Sequence, residues 1–184
     1  MTFSSSVSPL DRIRRIARIM RRLIVLGILL DIAAVLAVWE WDYLFWHSLL
    51  PALGLTLDQV SPTPDARLLG LLFSGPSAGI VLVLLIEAYR LFGDYAEGRI
   101  FAPGAIDRLG RLAWGMIILA AVQSPLRTLQ VLALTLHNPP GHRLLSIGLS
   151  SAELMLAFFG GLLLAITWVM REAGRIATEN SEFV

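Results

Sequence analysis

The chain has no cysteine and no lysine among its 184 residues, and only 16% of its residues are charged. The absence of cysteine excludes a disulfide, a thiolate zinc site and an iron–sulfur cluster. A soluble domain would carry about a quarter of its residues as charged groups. Because 56% of the residues are hydrophobic, the apolar excess indicates a protein embedded in lipid rather than one with an oversized core.

Sequence motifs of catalysis are missing as well. The chain contains no phosphate-binding loop, no G-x-S-x-G nucleophile elbow, no HExxH helix and no catalytic pair of carboxylates. Its three histidines, His47, His137 and His142, do not have the spacing of metal ligands. The sequence therefore predicts a protein that is not an enzyme and that binds no cofactor and no metal.

Four long apolar runs dominate what the sequence does contain. Each is long enough for a helix to cross a hydrocarbon layer about 30 Å thick. We predict an all-α bundle of four transmembrane helices, with spans at about 23–41, 67–92, 106–136 and 150–170. This transmembrane domain, 23–170, lies between an arginine-rich segment, 1–22, and a helical cytoplasmic tail, 171–184. The first run has no small-residue cleavage site, so we interpret it as a retained span rather than a signal peptide.

The arginine-rich segment has the pattern of an amphipathic helix. Its apolar residues recur on one stripe, and six arginines fill the remaining faces. Such a helix lies at a membrane interface and attracts anionic lipid. Because the segment leads directly into a span, we expect it to bind lipid and not to contact nucleic acid.

The distribution of arginine predicts the orientation of the chain. Twelve of the 15 arginines fall on the side that holds the two termini and the connection between the second and third spans. Cytoplasmic flanks of membrane helices are enriched in positive charge. We therefore expect a multi-pass protein of the bacterial cytoplasmic (inner) membrane with both termini in the cytoplasm.

Polar side chains inside a span are costly and mark candidate functional positions. Five such residues are Asp31, Glu87, Gln123, Arg127 and Glu153. Asp31 lies near the predicted midplane. It is either a titrating carboxylate of a proton-coupled carrier or an acid that locks helix packing through a hydrogen bond to Gln123, Ser124 or Gln130.

Helix geometry predicts which of the other charged residues meet. At about 1.5 Å per residue, Arg127 and Glu153 come out at the same depth on the third and fourth spans. We expect them to face each other near the outer boundary, and the alternative is that both extend into the outer headgroups. Glu87 and Arg90 are three residues apart, so we expect a local ion pair on one helix.

Small residues at helical spacing predict where helices approach closely. Gly75 and Gly79 form a GxxxG motif, and Ala157, Gly161 and Ala165 form a ladder in the fourth span. These five residues are candidates for helix packing inside the bundle. The alternative is that they form the seam of a homodimer.

Two segments resemble a family of small bacterial membrane proteins with four spans, designated domain of unknown function 2975. The first, residues 91–110, has the Gly-x-x-Phe turn at Gly98 and Phe101, although Ala102 stands where the family often has threonine or serine. The second, residues 170–184, has the terminal pattern of a glycine with a basic residue, a hydrophobic step, Glu-Asn and a final valine. Members are often encoded beside a helix-turn-helix regulator, so the resemblance implies a cytosolic protein partner.

These two segments supply the candidate partner-binding face. Its residues are Tyr95, Gly98, Arg99, Phe101, Gly174, Arg175, Glu179 and Asn180. The alternative is that the loop and the tail pack on each other and close the inner end of the bundle. We expect a non-catalytic membrane protein with a regulatory partner, and the alternative is a small proton-coupled transporter or channel-like carrier that acts as an oligomer.

Overall fold

Four long helices account for most of the chain, which the computed structural model describes over residues 9–60, 63–139 and 143–181. They are Pro9–Glu40 (α1), Pro64–Ala96 (α2), Pro103–Thr135 (α3) and Ser151–Ser181 (α4). No strand occurs within these described ranges, and the predicted all-α fold is confirmed. At about 1.5 Å per residue, each helix is roughly 45–50 Å long, which exceeds the thickness of the hydrocarbon layer.

The surface of the helices is apolar along much of its length. Leu30 on α1 is 59% exposed and Phe158 on α4 is 67% exposed, and many other large apolar side chains are as accessible. Contiguous apolar surface of this extent is unfavourable in water and favourable in lipid. All four helices are also long and apolar enough to cross a membrane, so the chain is a multi-pass membrane protein.

The helices pack in chain order, α1 against α2, α2 against α3 and α3 against α4. These extensive contacts do not close into a ring, so α1 and α4 are the outer helices. α3 has a neighbour on two sides, and among the described helices it carries the largest set of buried residues, among them Ala105, Ala113, Ala120, Val131 and Leu134.

Local signals explain where the helices begin. The hydroxyl of Thr63 accepts a hydrogen bond from the backbone N–H of Ala66, at 3.2 Å, and caps α2. At α3, Ala102 offers no side-chain cap, and Pro103 occupies the first position with its φ already fixed. α1 runs without a break from the arginine-rich segment into the first span, while residues 1–8 and 182–184 lie outside the described part of the chain.

The connection between α1 and α2 covers one end of the bundle. It contains the helical turns Asp42–Leu44, Phe45–Leu49, Leu50–Ala52 and Leu57–Gln59. Its apolar residues form a buried cluster with the ends of α1 and α3, made of Trp39, Phe45, Leu50, Leu53, Leu55, Val60, Val131 and Leu134. We call this the far end, and the opposite end, which holds the start of α1 and the turn between α2 and α3, the arginine-rich end.

The closest helix approaches use glycines other than those predicted. A Cβ at Gly70 would collide with Trp39, one at Gly115 with Leu84, and one at Gly160 with α3. By contrast, all five predicted packing residues are exposed: Gly75, Gly79, Ala157, Gly161 and Ala165. A Cβ at Gly75, Gly79 or Gly161 would meet nothing within 4 Å, so the interpretation that these small residues mark the closest helix approaches inside one chain is wrong. The homodimer seam stays a prediction.

Gly160→Ala should lower the stability of the fold by about 1–3 kcal/mol, the cost of overpacking. The added Cβ would lie 2.8 Å from Cγ1 of Ile117 and 3.0 Å from the backbone oxygen of Ala113. Thermal unfolding of the purified protein in detergent measures the change. Gly161→Ala is the matched control, because its Cβ would meet nothing within 4 Å. Equal stability of the two variants would contradict the packing described here.

Candidate functional site

A cavity of about 610 Å³ lies between the helices, toward the far end. We call it the polar cavity because several polar side chains interrupt its largely apolar wall. All four long helices contribute to its wall. Its polar lining consists of Asp31 from α1, Ser74 and Ser77 from α2, Gln123, Arg127 and Gln130 from α3, and Ser150 and Glu153 at the start of α4. Four of the five polar residues predicted inside the spans therefore meet in one place.

Asp31 lines this cavity without a direct partner. It is partly exposed, and no side chain in the described ranges makes a hydrogen bond or an ion pair with it. The predicted lock to Ser124 is wrong, since the Ser124 hydroxyl donates to the backbone oxygen of Gly148 at 2.8 Å. Gln123 and Gln130 share the cavity with Asp31 but do not bond to it. The cavity therefore holds a carboxylate that has no side-chain partner among the described residues.

Arg127 and Glu153 form an ion pair across α3 and α4, as the depth argument predicted. Glu153 is 3% exposed and Arg127 is 27% exposed. The second carboxylate oxygen of Glu153 accepts the backbone N–H of Ser150 at 2.8 Å, and the Ser150 hydroxyl accepts the backbone N–H of Glu153 at 3.4 Å. This reciprocal arrangement is a capping box, so one carboxylate both pairs with an arginine and starts a helix.

The chain reaches Ser150 through an extended segment, residues 143–149, that lies along α3. The Ser124 hydroxyl donates to the carbonyl of Gly148, and the Thr128 hydroxyl donates to that of Ser146 at 2.8 Å. Nearer the far end, the Thr135 hydroxyl accepts the backbone N–H of Leu144. Irregular backbone at membrane depth needs such partners, since lipid supplies none. The segment therefore places the start of α4 at the level of the cavity.

Glu87 organises the side chains of the arginine-rich end. Its carboxylate accepts Arg90 at 3.3 Å, as the local-pair prediction expected, and also Arg111 at 3.0 Å. Arg108 lies at 3.8 Å. Glu87 is 13% exposed. Because Arg108 and Arg111 belong to α3, its carboxylate connects α2 to α3 as well as pairing within α2.

Asp94 holds the turn between α2 and α3. It accepts Arg99 at 2.7 Å and Arg108 at 3.1 Å. The hydrogen bond to Asp94 raises the pKa of Arg99, which keeps that guanidinium charged. Gly98 turns the chain with φ of +84°, in the left-handed region that favours glycine. Tyr95 packs against the buried cluster of Leu91, Ala105 and Leu109 and so anchors the turn from inside.

The predicted partner-binding residues whose side chains the structure describes are exposed or partly exposed. Phe101 is 75% exposed at the end of the turn. The tail lies beside the turn, because Arg171 on α4 donates to Asp107 on α3 at 2.8 Å. Arg175 pairs with Glu172 on its own helix, and Gly174 is exposed between them. The side chains of Glu179 and Asn180 lie outside the described part of the chain.

Sequence reasoning missed two features of these regions. The Ser-x-x-Glu pattern of Ser150 and Glu153 is a readable capping-box signal, and it would have placed the start of α4. The contact between Arg21 on α1 and Tyr89 on α2, at 2.6 Å, joins residues far apart in the chain, and no local pattern reveals it.

The chain matches the model of a protein family described as "Protein of unknown function (DUF2975)" over residues 40–184. No curated protein and no solved structure matches it. The matched range contains α2, α3, α4 and the three connections between the long helices, whereas Asp31 and the arginines of α1 precede it.

Glu153→Ala should destabilise the protein by about 3–5 kcal/mol, because it leaves Arg127 unpaired in a poorly solvated place and removes the acceptor for the backbone N–H of Ser150, which is one half of the capping box. Glu153→Gln should cost less, since an amide oxygen still accepts the backbone N–H of Ser150. Chemical or thermal unfolding in detergent measures both. Glu172→Ala, which removes an exposed ion pair, should stay close to the original stability. The role assigned to Glu153 would be wrong if its loss were as mild as that of Glu172.

Proposed function

We propose that this chain, which belongs to the DUF2975 family of proteins of unknown function, is a non-catalytic membrane protein that binds a cytosolic protein at its arginine-rich end. The observation that carries the proposal is the exposure of Phe101 on a turn that ion pairs hold in place. The regulatory character of the partner comes from the family resemblance alone, which implies a helix-turn-helix regulator.

The orientation is part of this proposal. Twelve of the 15 arginines belong to the arginine-rich end or to the segments that flank it. The positive-inside rule then favours a cytoplasmic location for this end, in the inner membrane of a bacterium. A cytosolic protein could reach the turn and the tail only in this orientation.

The depth of Phe101 supports a protein partner over a lipid contact. The predicted second span ends at about residue 92, and α2 continues to Ala96, about 6 Å further at 1.5 Å per residue. The turn that carries Phe101 then lies beyond the end of this span. An aromatic side chain that is 75% exposed in that position is typical of an anchor for a protein interface.

The rigidity of the turn supports the same function. Asp94 fixes the turn through Arg99 and Arg108, and Tyr95 packs beneath it. A preorganised loop loses little conformational freedom when it binds. The tail is held alongside by the pair of Asp107 and Arg171, and Ile176, further along α4, is 47% exposed. Turn and tail together offer two apolar contacts on a charged surface.

Photo-crosslinking in the native host tests this proposal. Benzoylphenylalanine in place of Phe101 should give one discrete adduct with a cytosolic protein, because the turn places the side chain in its interface. The same probe in place of Phe158, which is 67% exposed on the apolar face of α4, is the control and should give no such adduct.

Two results would contradict the proposal. One is the absence of a protein adduct at position 101, and the other is the same adduct at both positions.

Since the chain has no natural cysteine, single-cysteine variants check the orientation. A membrane-impermeant maleimide added to intact cells, with the outer membrane permeabilised, should label Asp58→Cys and leave Glu97→Cys unlabelled.

The polar cavity favours a second candidate function, a small proton-coupled carrier. Asp31 faces a cavity of about 610 Å³ that Gln123 and Gln130 also line. Cavities of this size hold small molecules, and convergent polar groups orient them. Four helices packed in a row do not enclose a pathway, so this function requires an oligomer. The outer helices α1 and α4 are the surfaces available for it.

Asp31→Asn decides whether the carrier function holds. In vesicles with an internal pH-sensitive dye and an imposed pH gradient, the original protein should conduct protons, and the variant should lose at least about 90% of that flux, because an amide does not titrate. Asp65→Asn, at an exposed position in the first turn of α2, should leave the flux unchanged. Equal flux in a correctly folded Asp31→Asn protein would remove the carrier function.

A further inference from the structure

Among the residues that the structure describes, the arginines of α1 differ from those of the other helices in having no carboxylate partner. On α2, α3 and α4 every arginine forms an ion pair, namely Arg67, Arg90, Arg108, Arg111, Arg127, Arg171 and Arg175. Within the described ranges none of the α1 arginines does, namely Arg12, Arg14, Arg15, Arg18, Arg21 and Arg22. The positive charge of α1 is therefore available to an anion from outside the chain.

Arg21 is the arginine of this set that the fold positions. Its Nη2 donates to the Tyr89 hydroxyl at 2.6 Å, and its guanidinium carbon lies 4.3 Å from the centre of the Tyr89 ring. Its Nε is buried and has no hydrogen-bond partner in the described part of the chain. A buried charged donor without an acceptor is unfavourable, so the arrangement is incomplete as it stands.

A cavity of about 470 Å³ adjoins Arg21. Its lining consists of Arg18, Arg21, Arg22, Val25 and Tyr89. Three arginines line this cavity, and guanidinium is the group best suited to bind the oxygens of a phosphate. One wall is apolar, however, because Val25 follows the last arginine of α1 and adjoins the exposed leucines of the first span.

We propose that Arg18, Arg21, Arg22 and Tyr89 bind the phosphate group of an anionic glycerophospholipid. The phosphate oxygens accept from the three arginines, including the Nε of Arg21 that has no other acceptor. The acyl chains then lie along Val25, Leu26 and Leu29, which are 43%, 51% and 60% exposed. An apolar wall directly below a cationic one fits a lipid and offers nothing to a free phosphate ion. The site is separate from the turn that we propose for the protein partner.

Arg21→Gln should weaken binding of phosphatidylglycerol by roughly tenfold or more, as expected for the loss of a charged hydrogen-bond donor. Native mass spectrometry of the detergent-solubilised full chain, titrated with phosphatidylglycerol, measures the affinity. Arg12→Gln is the matched control: it removes the same charge from the same helix, but Arg12 does not line the cavity. It should change the affinity less than twofold. Phosphatidylcholine should bind the original protein at least tenfold more weakly.

Other outcomes would overturn the proposal. An equal loss of phosphatidylglycerol affinity in Arg21→Gln and Arg12→Gln would mean that the affinity depends only on the total charge of α1. Equal affinity for phosphatidylglycerol and phosphatidylcholine would exclude a site for anionic lipid. Millimolar inorganic phosphate should not displace the lipid at constant ionic strength, and displacement would assign the site to a free ion. Should Arg21→Gln fail to fold, Tyr89→Phe, which only releases Arg21 from its hydrogen bond, should still lower the affinity by severalfold.

Discussion

The ion pair of Arg127 and Glu153 is the interaction on which the far half of the bundle depends. Lipid offers no hydrogen bonds, so a helix that starts at membrane depth needs its own cap and a counter-ion for any charge. Glu153 provides both, since it closes the capping box with Ser150 and neutralises Arg127. Because the pair fixes the start of α4 beside the middle of α3, the preceding residues 143–149 must descend along α3, where Ser124 and Thr128 bond their carbonyls.

This starting level of α4 also accounts for the polar cavity. The chain packs α1 on α2, α2 on α3 and α3 on α4, so the first and last helices do not form an extensive contact. The space between them is lined by the cap of α4 on one side and by Asp31 of α1 on the other. The cavity is therefore asymmetric in charge, because the charges of Arg127 and Glu153 compensate each other at one wall while Asp31 at another wall has no ion-pair partner among the described residues.

Predictions from the sequence succeeded where a single helix carries the signal. The apolar runs gave the four helices, and equal depth brought Arg127 opposite Glu153. The predictions were incomplete where several helices meet. Glu87 was expected to pair on its own helix, and its two further arginines come from α3. The GxxxG motif of Gly75 and Gly79 shows only that a close approach is possible there. Whether a neighbouring helix packs against the motif depends on the rotation of the helix about its axis, and a local sequence pattern does not specify that rotation.

The arginines at the arginine-rich end fall into two groups, those with a carboxylate partner and those without one among the described residues. Each arginine of α2, α3 and α4 pairs with a carboxylate, which for Arg67 is Asp42 of the connection between α1 and α2. The pairs that include Glu87 and Asp94 hold the turn between α2 and α3. Among the residues that the structure describes, the arginines of α1 have no such partners, and α1 packs extensively on α2 alone among the long helices. A helix with one protein neighbour needs another source of stabilisation, and attraction between its arginines and anionic lipid contributes about 1 kcal/mol per charge near the surface. Anionic lipid would then compensate the positive charge of α1, as acidic side chains compensate the arginines of the other helices.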